Sequence, residues 1–279
     1  MLMSDKMPMR DYTYDEDGNI TGGSGKMVLG NFQTSSYGSA FIRRSGKVEE
    51  IGNAVPDFLG SLNTTIRYKR LSLRASFDAR FGGYVASYGS HYGTAYGYTA
   101  TALRGADKDH GGITFTSCLD GITYDDGVIP DGIFLTGTKF SLPGKEAYTV
   151  TSGPTSPNGE SYQELVDKNV LDPSHQSGWN YLTHSWGNGI VDDTWYTKLN
   201  YICFRDLTLA YSLPEKAAHA IKAQALNLQA NVHNLGYILN SMPNKENPES
   251  VRGTRAAEFR IRNMQGVTTY YTFTINVRF

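Results

Sequence analysis

Aromatic side chains that could hold a ligand are concentrated in one long segment, between Gly82 and Trp195. Aromatic rings cover the apolar C–H faces of sugars or peptides while neighbouring Asp and Asn side chains bond polar groups, so this composition is typical of a binding surface. The same rings would also serve as an interfacial girdle or pack the segment onto itself. The residues predicted to contact a ligand are Tyr92, Trp179, Tyr181, Trp186 and Trp195.

The phosphate-binding and metal-binding motifs that the sequence suggests are all incomplete. The run from Gly23 to Lys26 lacks the preceding glycine of a phosphate loop and is followed by Met27 where Ser or Thr is needed, so it predicts a glycine-rich turn. The run from Asp15 to Asn19 begins like a calcium loop, but Lys26 stands where the closing glutamate belongs, so a β-turn is expected. The acidic run from Asp120 to Asp126 could gather oxygen ligands, and calcium is the one cofactor for which the sequence offers a place.

No set of residues predicts catalysis. The six histidines are scattered without zinc spacing. Asp192 and Asp193 are adjacent, so on a strand they would face opposite ways and would not form a glycosidase pair. A nucleophile, a base and an orienting group are not jointly visible, so we predict that the protein is not an enzyme. The net charge of -1 argues against a nucleic-acid partner.

The elements that would position a binding segment are strands, and the clearest is the last stretch of sequence, Val267 to Phe279. Apolar and polar residues alternate there, as in a barrel strand that turns one face to lipid over ~9–11 residues. An edge or sandwich strand of a secreted β protein would show the same alternation. In the barrel interpretation, the apolar row is the signal that barrel-assembly machinery recognises, and its residues are Tyr271, Phe273, Ile275, Val277 and Phe279.

Further alternation predicts more strands upstream. Residues 62–68 and 71–81 read as a hairpin with a tight turn near Arg70. Residues 207–213 and 226–232 read as two more strands, joined by a short helix over 214–225 that begins with Pro214. Weaker strand signals lie at 27–32 and 37–44.

The spacing of these strands fits an outer-membrane barrel. With the carboxyl terminus in the periplasm, the segments 82–195 and 236–266 are long outer loops, while the turn at Arg70 and the helix at Pro214 are short inner connections. A mean hydropathy of -0.40 does not oppose this, because half of the residues of a barrel strand are polar. The residues from Met1 to Lys6 lack the apolar core of a signal peptide.

Several motifs, in order along the chain, resemble the carboxyl-terminal third of SusC/RagA-type TonB-dependent outer-membrane transporters. The resemblance covers about Val48 to Phe279. His233 stands where that family more often has Arg, and Asn247 stands where it has Asp. The motifs are the run from Ile51 to Gly60, the run from Tyr68 to Leu73 with Phe81-Gly82-Gly83, the strand from Phe204 to Pro214, the strand end from Asn231 to Leu235, and the loop from Asn247 to Ser250.

The resemblance implies a plugged barrel of roughly 22 strands that imports glycans or peptides. It also implies partners: a SusD-like surface lipoprotein as a lid, barrel-assembly machinery, and the TonB system, reached through an amino-terminal part that this sequence lacks. The fold class is therefore predicted as all-β, a transmembrane antiparallel barrel portion of about seven strands with long outer loops and a short periplasmic helix. The rest of the barrel and its plug would be a further partner, so the chain is expected to be one part of a larger transporter.

The predicted organisation has four parts: barrel strands and loop of uncertain assignment at 1–60, a barrel hairpin at 61–81, an extracellular region at 82–195, and barrel strands at 196–279. Two alternatives stay open. A small self-closed barrel acting as an adhesin or anchor would need one more strand from the first residues. A secreted carbohydrate-binding β-sandwich would be soluble without detergent.

Overall fold

The structure is a computed structural model, and it places most of the chain. No helix among the placed residues is long and apolar enough to cross a bilayer. The residues that the structure describes are 1–31, 40–117, 120–141, 146–184, 191–252, 260–261 and 268–279.

The described residues are mostly strands with a few short helices. The strands are β1 (Leu2–Ser4), β2 (Thr13–Tyr14), β3 (Ile20–Gly22), β4 (Met27–Gly30), β5 (Phe41–Ile42), β6 (Glu49–Gly52), β7 (Phe58–Tyr68), β8 (Leu71–Phe81), β9 (Tyr84–Ser87), β10 (Ile113–Thr116), β11 (Thr123–Val128), β12 (Gly132–Leu135), β13 (Lys139–Phe140), β14 (Tyr148–Thr149), β15 (Gly159–Ser161), β16 (Ser174–His175), β17 (Tyr196–Lys198), β18 (Tyr201–Ser212), β19 (Ala225–Asn240), β20 (Val251–Arg252), β21 (Arg260–Ile261) and β22 (Tyr270–Arg278). The α-helices are α1 (Tyr88–Ala95), α2 (Tyr162–Asp167), α3 (Gln176–His184) and α4 (Glu215–Ala220). Short 3₁₀ turns lie at Ala100–Leu103, Lys108–His110, Asp192–Thr194 and Pro243–Lys245.

The chain forms two compact units. The first unit consists of Met1–Ile51 and Ser87–Tyr196, and the second of Gly52–Ala86 and Thr197–Phe279. Each unit is therefore built from two separate stretches of sequence.

The second unit contains a five-stranded antiparallel sheet in the order β22-β19-β18-β8-β7. The predicted hairpin is present: Tyr68 pairs with Leu71, and the chain reverses through Lys69, whose φ is 54°, and Arg70. The strands β18 and β19 are longer than the alternation predicted, because pairing continues past two register shifts, one between Ile202 and Cys203 and one between Phe204 and Asp206.

Period-two alternation puts apolar and polar side chains on opposite faces of this sheet. Strand register then aligns them into rows that run across the sheet. One apolar row is Ile66, Leu73, Leu209, Ala230 and Phe273, and one polar row is Thr65, Arg74, Thr208, Asn231 and Thr272.

The connections between these strands are short at one end of the sheet and long at the other. Strands β7 and β8 are joined by a two-residue turn, and β18 and β19 by the segment that carries α4. The helix α4 ends at Ala220, earlier than the predicted 225, because Lys222 adopts a left-handed conformation with φ 61° and Ala223 N donates to Ala218 O. The connections from β8 to β18 and from β19 to β22 are long, and in an antiparallel order both leave the opposite end of the sheet.

The first unit has its own core around a sheet in the order β15-β12-β4-β5, in which β12 is parallel to β4. The weak strand signals at 27–32 and 37–44 belong here: β4 ends at Gly30, and β5 covers only Phe41–Ile42, with 37–39 outside the described residues. They therefore do not add to the five-stranded sheet, and the expectation of about seven strands in one sheet is wrong for the part of the chain that is described. Strand β4 is buried on both faces, which removes the alternation of a half-buried strand. The fully buried core side chains of the first unit include Leu29, Ile42, Phe134, Tyr162, Leu165 and Leu171.

Of the two turns predicted in the first unit, the one at Asp15 is confirmed. Asp15 Oδ1 accepts hydrogen bonds from the backbone N–H groups of Asp17 (3.1 Å) and Asn19 (2.7 Å), which closes an Asx turn. The glycine-rich run from Gly23 to Lys26 is an irregular connection between β3 and β4 and not a hydrogen-bonded turn; it is held by Asp11, which accepts from both the backbone N and the hydroxyl of Ser24 at 2.7 and 2.6 Å.

Candidate functional site

The apolar face of the five-stranded sheet is a candidate contact surface. The side chains that would form a core in a soluble sheet are exposed here, with Phe273 at 83%, Ile275 at 66% and Ile66 at 64%. A shallow groove of about 310 Å³ crosses this face over three strands. A contiguous apolar surface of this width is rare on soluble proteins and marks contact with lipid or with protein. The groove is lined by Leu209, Tyr211, Leu228, Gln229, Ala230, Phe273, Thr274 and Ile275.

The same sheet has two open edges within the described residues, since its order begins at β22 and ends at β7. The backbone N–H and C=O groups on an outer strand form a row that can pair with another strand. In lipid such a row must be paired, because each unsatisfied group costs several kcal/mol. The sheet is thus suited to extension at both edges.

The opposite, polar face carries a network centred on Arg205. Its Nε donates to Asp78 Oδ2 at 2.6 Å, and its two terminal nitrogens donate to the two carboxylate oxygens of Glu249, one of them at 2.7 Å. The Tyr237 hydroxyl bonds Glu249 Oε2 at 2.8 Å and Asn247 Oδ1 at 2.7 Å. The network therefore ties the loop after β19 to the face of the sheet by a bidentate charged pair.

A second group on the polar face surrounds His233. Its Nδ1 lies 2.6 Å from Asp206 Oδ1, and its ring stacks on Tyr270 with the centroids 4.4 Å apart. Asn231 Nδ2 donates to the Thr272 hydroxyl at 3.0 Å. These side chains bond to one another across strands, as expected for a face that is lined with polar groups instead of being packed.

Two of the five predicted ligand residues meet in an aromatic cluster of the first unit. Trp195 stacks on His91 with centroids 4.7 Å apart, and Tyr88 contacts Trp195 edge-on at 4.9 Å. Tyr92 stacks on Tyr88 at 5.8 Å and stays more exposed than the rest, at 39%. Trp195 is thus mostly engaged with protein rings, and Tyr92 presents the accessible ring of the cluster.

The other predicted ligand residues lie elsewhere. Trp179, on α3, packs against the core of the first unit. Tyr181, also on α3, is partly exposed at 37%. Trp186 lies outside the described residues. Of the residues predicted as an assembly signal, Phe273 and Ile275 are on the exposed apolar face with Tyr271 and Val277, and Phe279 follows the strand.

The acidic run proposed for calcium is engaged with protein groups. Asp120 accepts from the Tyr124 hydroxyl at 2.7 Å, which lowers the pKa of Asp120 and raises the pKa of Tyr124. Asp126 bonds His175 Nδ1 at 2.9 Å. Among the described residues no group of three or more His, Cys, Asp or Glu side chains converges as metal ligands would.

Sequence reasoning missed two cavities that flank the segment Met9–Tyr14. One has a volume of about 330 Å³ and the other about 600 Å³. Tyr12 and Tyr14 line both, with ring centroids 6.2 Å apart in an edge-on arrangement. The alternation of Tyr12, Thr13 and Tyr14 was the only local signal, because the other walls come from distant parts of the sequence.

Comparison by sequence finds no family and no curated protein that matches this chain. Comparison by structure finds the RagAB peptide importer in the open-open state, with 13% identity and a TM-score of 0.42 over 97% of this chain and 24% of that one. For the closed-closed state the identity is 13% and the TM-score is 0.43, over 96% of this chain and 22% of that one. For another structure of the RagAB peptide transporter the identity is 12% and the TM-score is 0.39, over 96% of this chain and 24% of that one.

The chain therefore spans about a quarter of the length of the solved chains that it matches. TM-scores this low do not establish a common fold, and peptide import is a property of those proteins. The features that bear on function are those of the chain itself: the two-faced sheet with open edges, the anchored loop, the aromatic cluster and the cavities around Met9–Tyr14.

Proposed function

We propose that the second unit forms part of the wall of an outer-membrane β-barrel, and that the whole chain is a carboxyl-terminal portion of a nutrient importer of the SusC/RagA type. The barrel would be completed by strands that pair with β7 and β22. The segment 82–195 would be extracellular and contribute to contacts with the imported glycan or peptide. A SusD-like surface lipoprotein would be the partner at that side.

The observation that carries the proposal is the exposed apolar face. Rows of apolar side chains run across all five strands, while the opposite face is polar in every strand. The strands have 9 to 16 residues, which meets the ~9–11 needed to cross the hydrocarbon layer. A soluble sheet with such a face would bury it, whereas Phe273 is 83% exposed.

Two further features support it. The short connections leave one end of the sheet and the long ones leave the other, as in barrels with short periplasmic turns and long outer loops. In addition, Arg205 and Glu249 come from two separate motifs of the SusC/RagA resemblance, and their side chains form the bidentate pair on the polar face. A contact between two motifs gives a physical reason for their occurrence in one chain.

The alternatives are less well supported. A secreted β-sandwich needs a second sheet over the apolar face, and this face is open within the described residues. A small self-closed barrel needs β7 and β22 to pair with each other or with another strand of the chain, and neither pairing occurs among the described strands.

The test is a scan of β22 with spin labels in the full protein, reconstituted in liposomes. Single cysteines replace Thr272, Phe273, Thr274 and Ile275 in turn, in a background without Cys118 and Cys203. Labels at 273 and 275 should be relaxed by oxygen, which concentrates in lipid, and labels at 272 and 274 by a water-soluble nickel complex. The polar positions serve as the matched controls, because they lie on the same strand at the same depth. Uniform access of the nickel complex at all four positions would refute membrane insertion.

A second experiment addresses the importer role. The chain, expressed in its own outer membrane with an affinity tag, should purify in a complex with a surface lipoprotein at a fixed ratio. If the chain purifies without a lipoprotein but shows the alternating label pattern, the outer-membrane barrel is supported and the SusC-type assembly is refuted.

A further inference from the structure

We propose that the smaller cavity beside Met9–Tyr14 is a binding site for a small zwitterion, a ligand that carries a free ammonium group and a free carboxylate. The cavity has a volume of about 330 Å³, near the lower end of the range for small-molecule sites. It is formed entirely within the first unit, so the proposal does not depend on the membrane role of the second. The wall residues that could contact a ligand through charge or an aromatic ring are Arg10, Tyr12, Tyr14, Lys47, Glu49 and Asp193.

One wall of the cavity is formed by a segment that is hydrogen-bonded to the backbone on both sides. Met9 N donates to Arg43 O at 2.7 Å, and Val28 N donates to Met9 O at 2.8 Å. Ser45 N donates to Met7 O at 2.9 Å. A segment paired on both sides keeps its shape without a ligand, and a preformed site loses little entropy on binding.

Two basic and two acidic side chains line the cavity, and within the described residues only one of each is already paired with the other. Arg10 and Asp193 form an ion pair at 2.6 Å, so their charges are largely satisfied. Lys47 and Glu49 also line the cavity, and neither side chain makes a hydrogen bond or ion pair with another residue in the described part of the chain. One ammonium and one carboxylate are thus available to a ligand.

Both residues lie near the start of β6. Glu49 is the first residue of that strand and Lys47 belongs to the bend just before it, and both side chains line the cavity. Lys47 would bind the carboxylate of the ligand and Glu49 its ammonium group. A singly charged ligand would satisfy one of the two and leave the other unpaired, which favours a zwitterion.

The apolar part of the ligand would meet the tyrosines. Tyr14 is 57% exposed, and Tyr12 lies against Gly25, where an added Cβ would be 3.3 Å from the ring. Gly25 also has φ +70°, so any side chain there would be strained and would push the ring of Tyr12 from its position. The absence of a side chain at Gly25 therefore leaves room for the Tyr12 ring at the cavity wall.

The experiment measures binding to the full protein by calorimetry. The probes are L-alanine, tri-alanine with free ends, N-acetyl-tri-alanine, tri-alanine amide and the neutral sugar maltose. At least one probe with both ends free should bind, and blocking either end should weaken binding about tenfold, the loss of one charge-assisted hydrogen bond. Tighter binding of L-alanine would assign the site to free amino acids, and tighter binding of tri-alanine would assign it to peptide ends.

Variants decide whether the assigned residues are responsible. Glu49→Gln should remove the penalty for blocking the amine, and Lys47→Gln the penalty for blocking the carboxylate. Glu50→Gln is the matched control, because Glu50 is the next residue on the same strand and faces the opposite way. The proposal is overturned if no free-ended probe binds, if blocked probes or maltose bind equally well, or if both variants behave as Glu50→Gln does.

Discussion

The geometry of the Arg205 network allows the effect of removing Arg205 to be predicted quantitatively. Replacing Arg205 by Ala removes both hydrogen bonds to Glu249 and the bond to Asp78, and it leaves two carboxylates facing the polar side of the sheet. The side chains of Arg205 and Glu249 are 23% and 29% exposed, between the surface and buried limits. An exposed ion pair contributes up to ~1 kcal/mol, and breaking a buried pair costs ~3–5 kcal/mol. We therefore expect Arg205→Ala to lower the free energy of opening the Glu249 loop by about 2 kcal/mol.

The affected element is the loop that contains Glu249. The backbone N of Glu249 donates to Asn247 Oδ1 at 3.0 Å, and Ser250 N donates to Asn247 O at 3.1 Å. These amides report loop opening by hydrogen exchange. A loss of about 2 kcal/mol should speed their exchange roughly 30-fold, because about 1.4 kcal/mol corresponds to a factor of ten.

The control for this experiment is Arg74→Ala. Arg74 lies on the same polar face and makes no ion pair with any residue in the described ranges, so its removal should leave the loop amides unchanged. The double variant of Arg205→Ala with Glu249→Gln should exchange no faster than Arg205→Ala alone, since the carboxylate left without its partner is then gone. Unchanged exchange in Arg205→Ala would show that the loop is held by other contacts, and the reasoning would be wrong.

Two further predictions concern the first unit. Glu160 is fully buried and accepts a hydrogen bond from the Tyr148 hydroxyl at 2.9 Å. Glu160→Gln should therefore destabilise this unit by about 2–4 kcal/mol. Tryptophan fluorescence should show a lower midpoint of thermal unfolding, and an unchanged midpoint would contradict the prediction. Burial alone would raise the pKa of Asp11, but hydrogen bonds from Ser24 and Asn158 outweigh it and hold the pKa below its usual value. The stability from this lowered pKa is fully present above about pH 4 and is lost as pH falls through the folded-state value, so Asp11→Asn should flatten the acid limb of a stability-against-pH curve; the same slope in both proteins would rule this out.

The local pattern of the sequence was sufficient to predict the strands that have one apolar and one polar face. The alternation in β22, the hairpin of β7 and β8, and the turn at Asp15 each depend on neighbouring residues, so their signals are complete within a few positions. The buried strand β4 gave a weak signal, because a strand covered on both faces has no alternation. The apolar and polar faces of β22 could therefore be predicted, whereas the sheet to which β4 belongs could not.

The tertiary structure alone decided which distant residues meet. Arg205 and Glu249 are 44 positions apart, and their contact depends on the register of β18 with β19 and on the path of the loop between them and β22. The cavity beside Met9–Tyr14 joins residues near the start of the chain to Asp193, which no spacing rule relates. Alternation determines which face a side chain occupies, because it follows from backbone geometry along one strand; the neighbours on that face follow from pairing between strands, which the sequence specifies only through the energy of the whole fold.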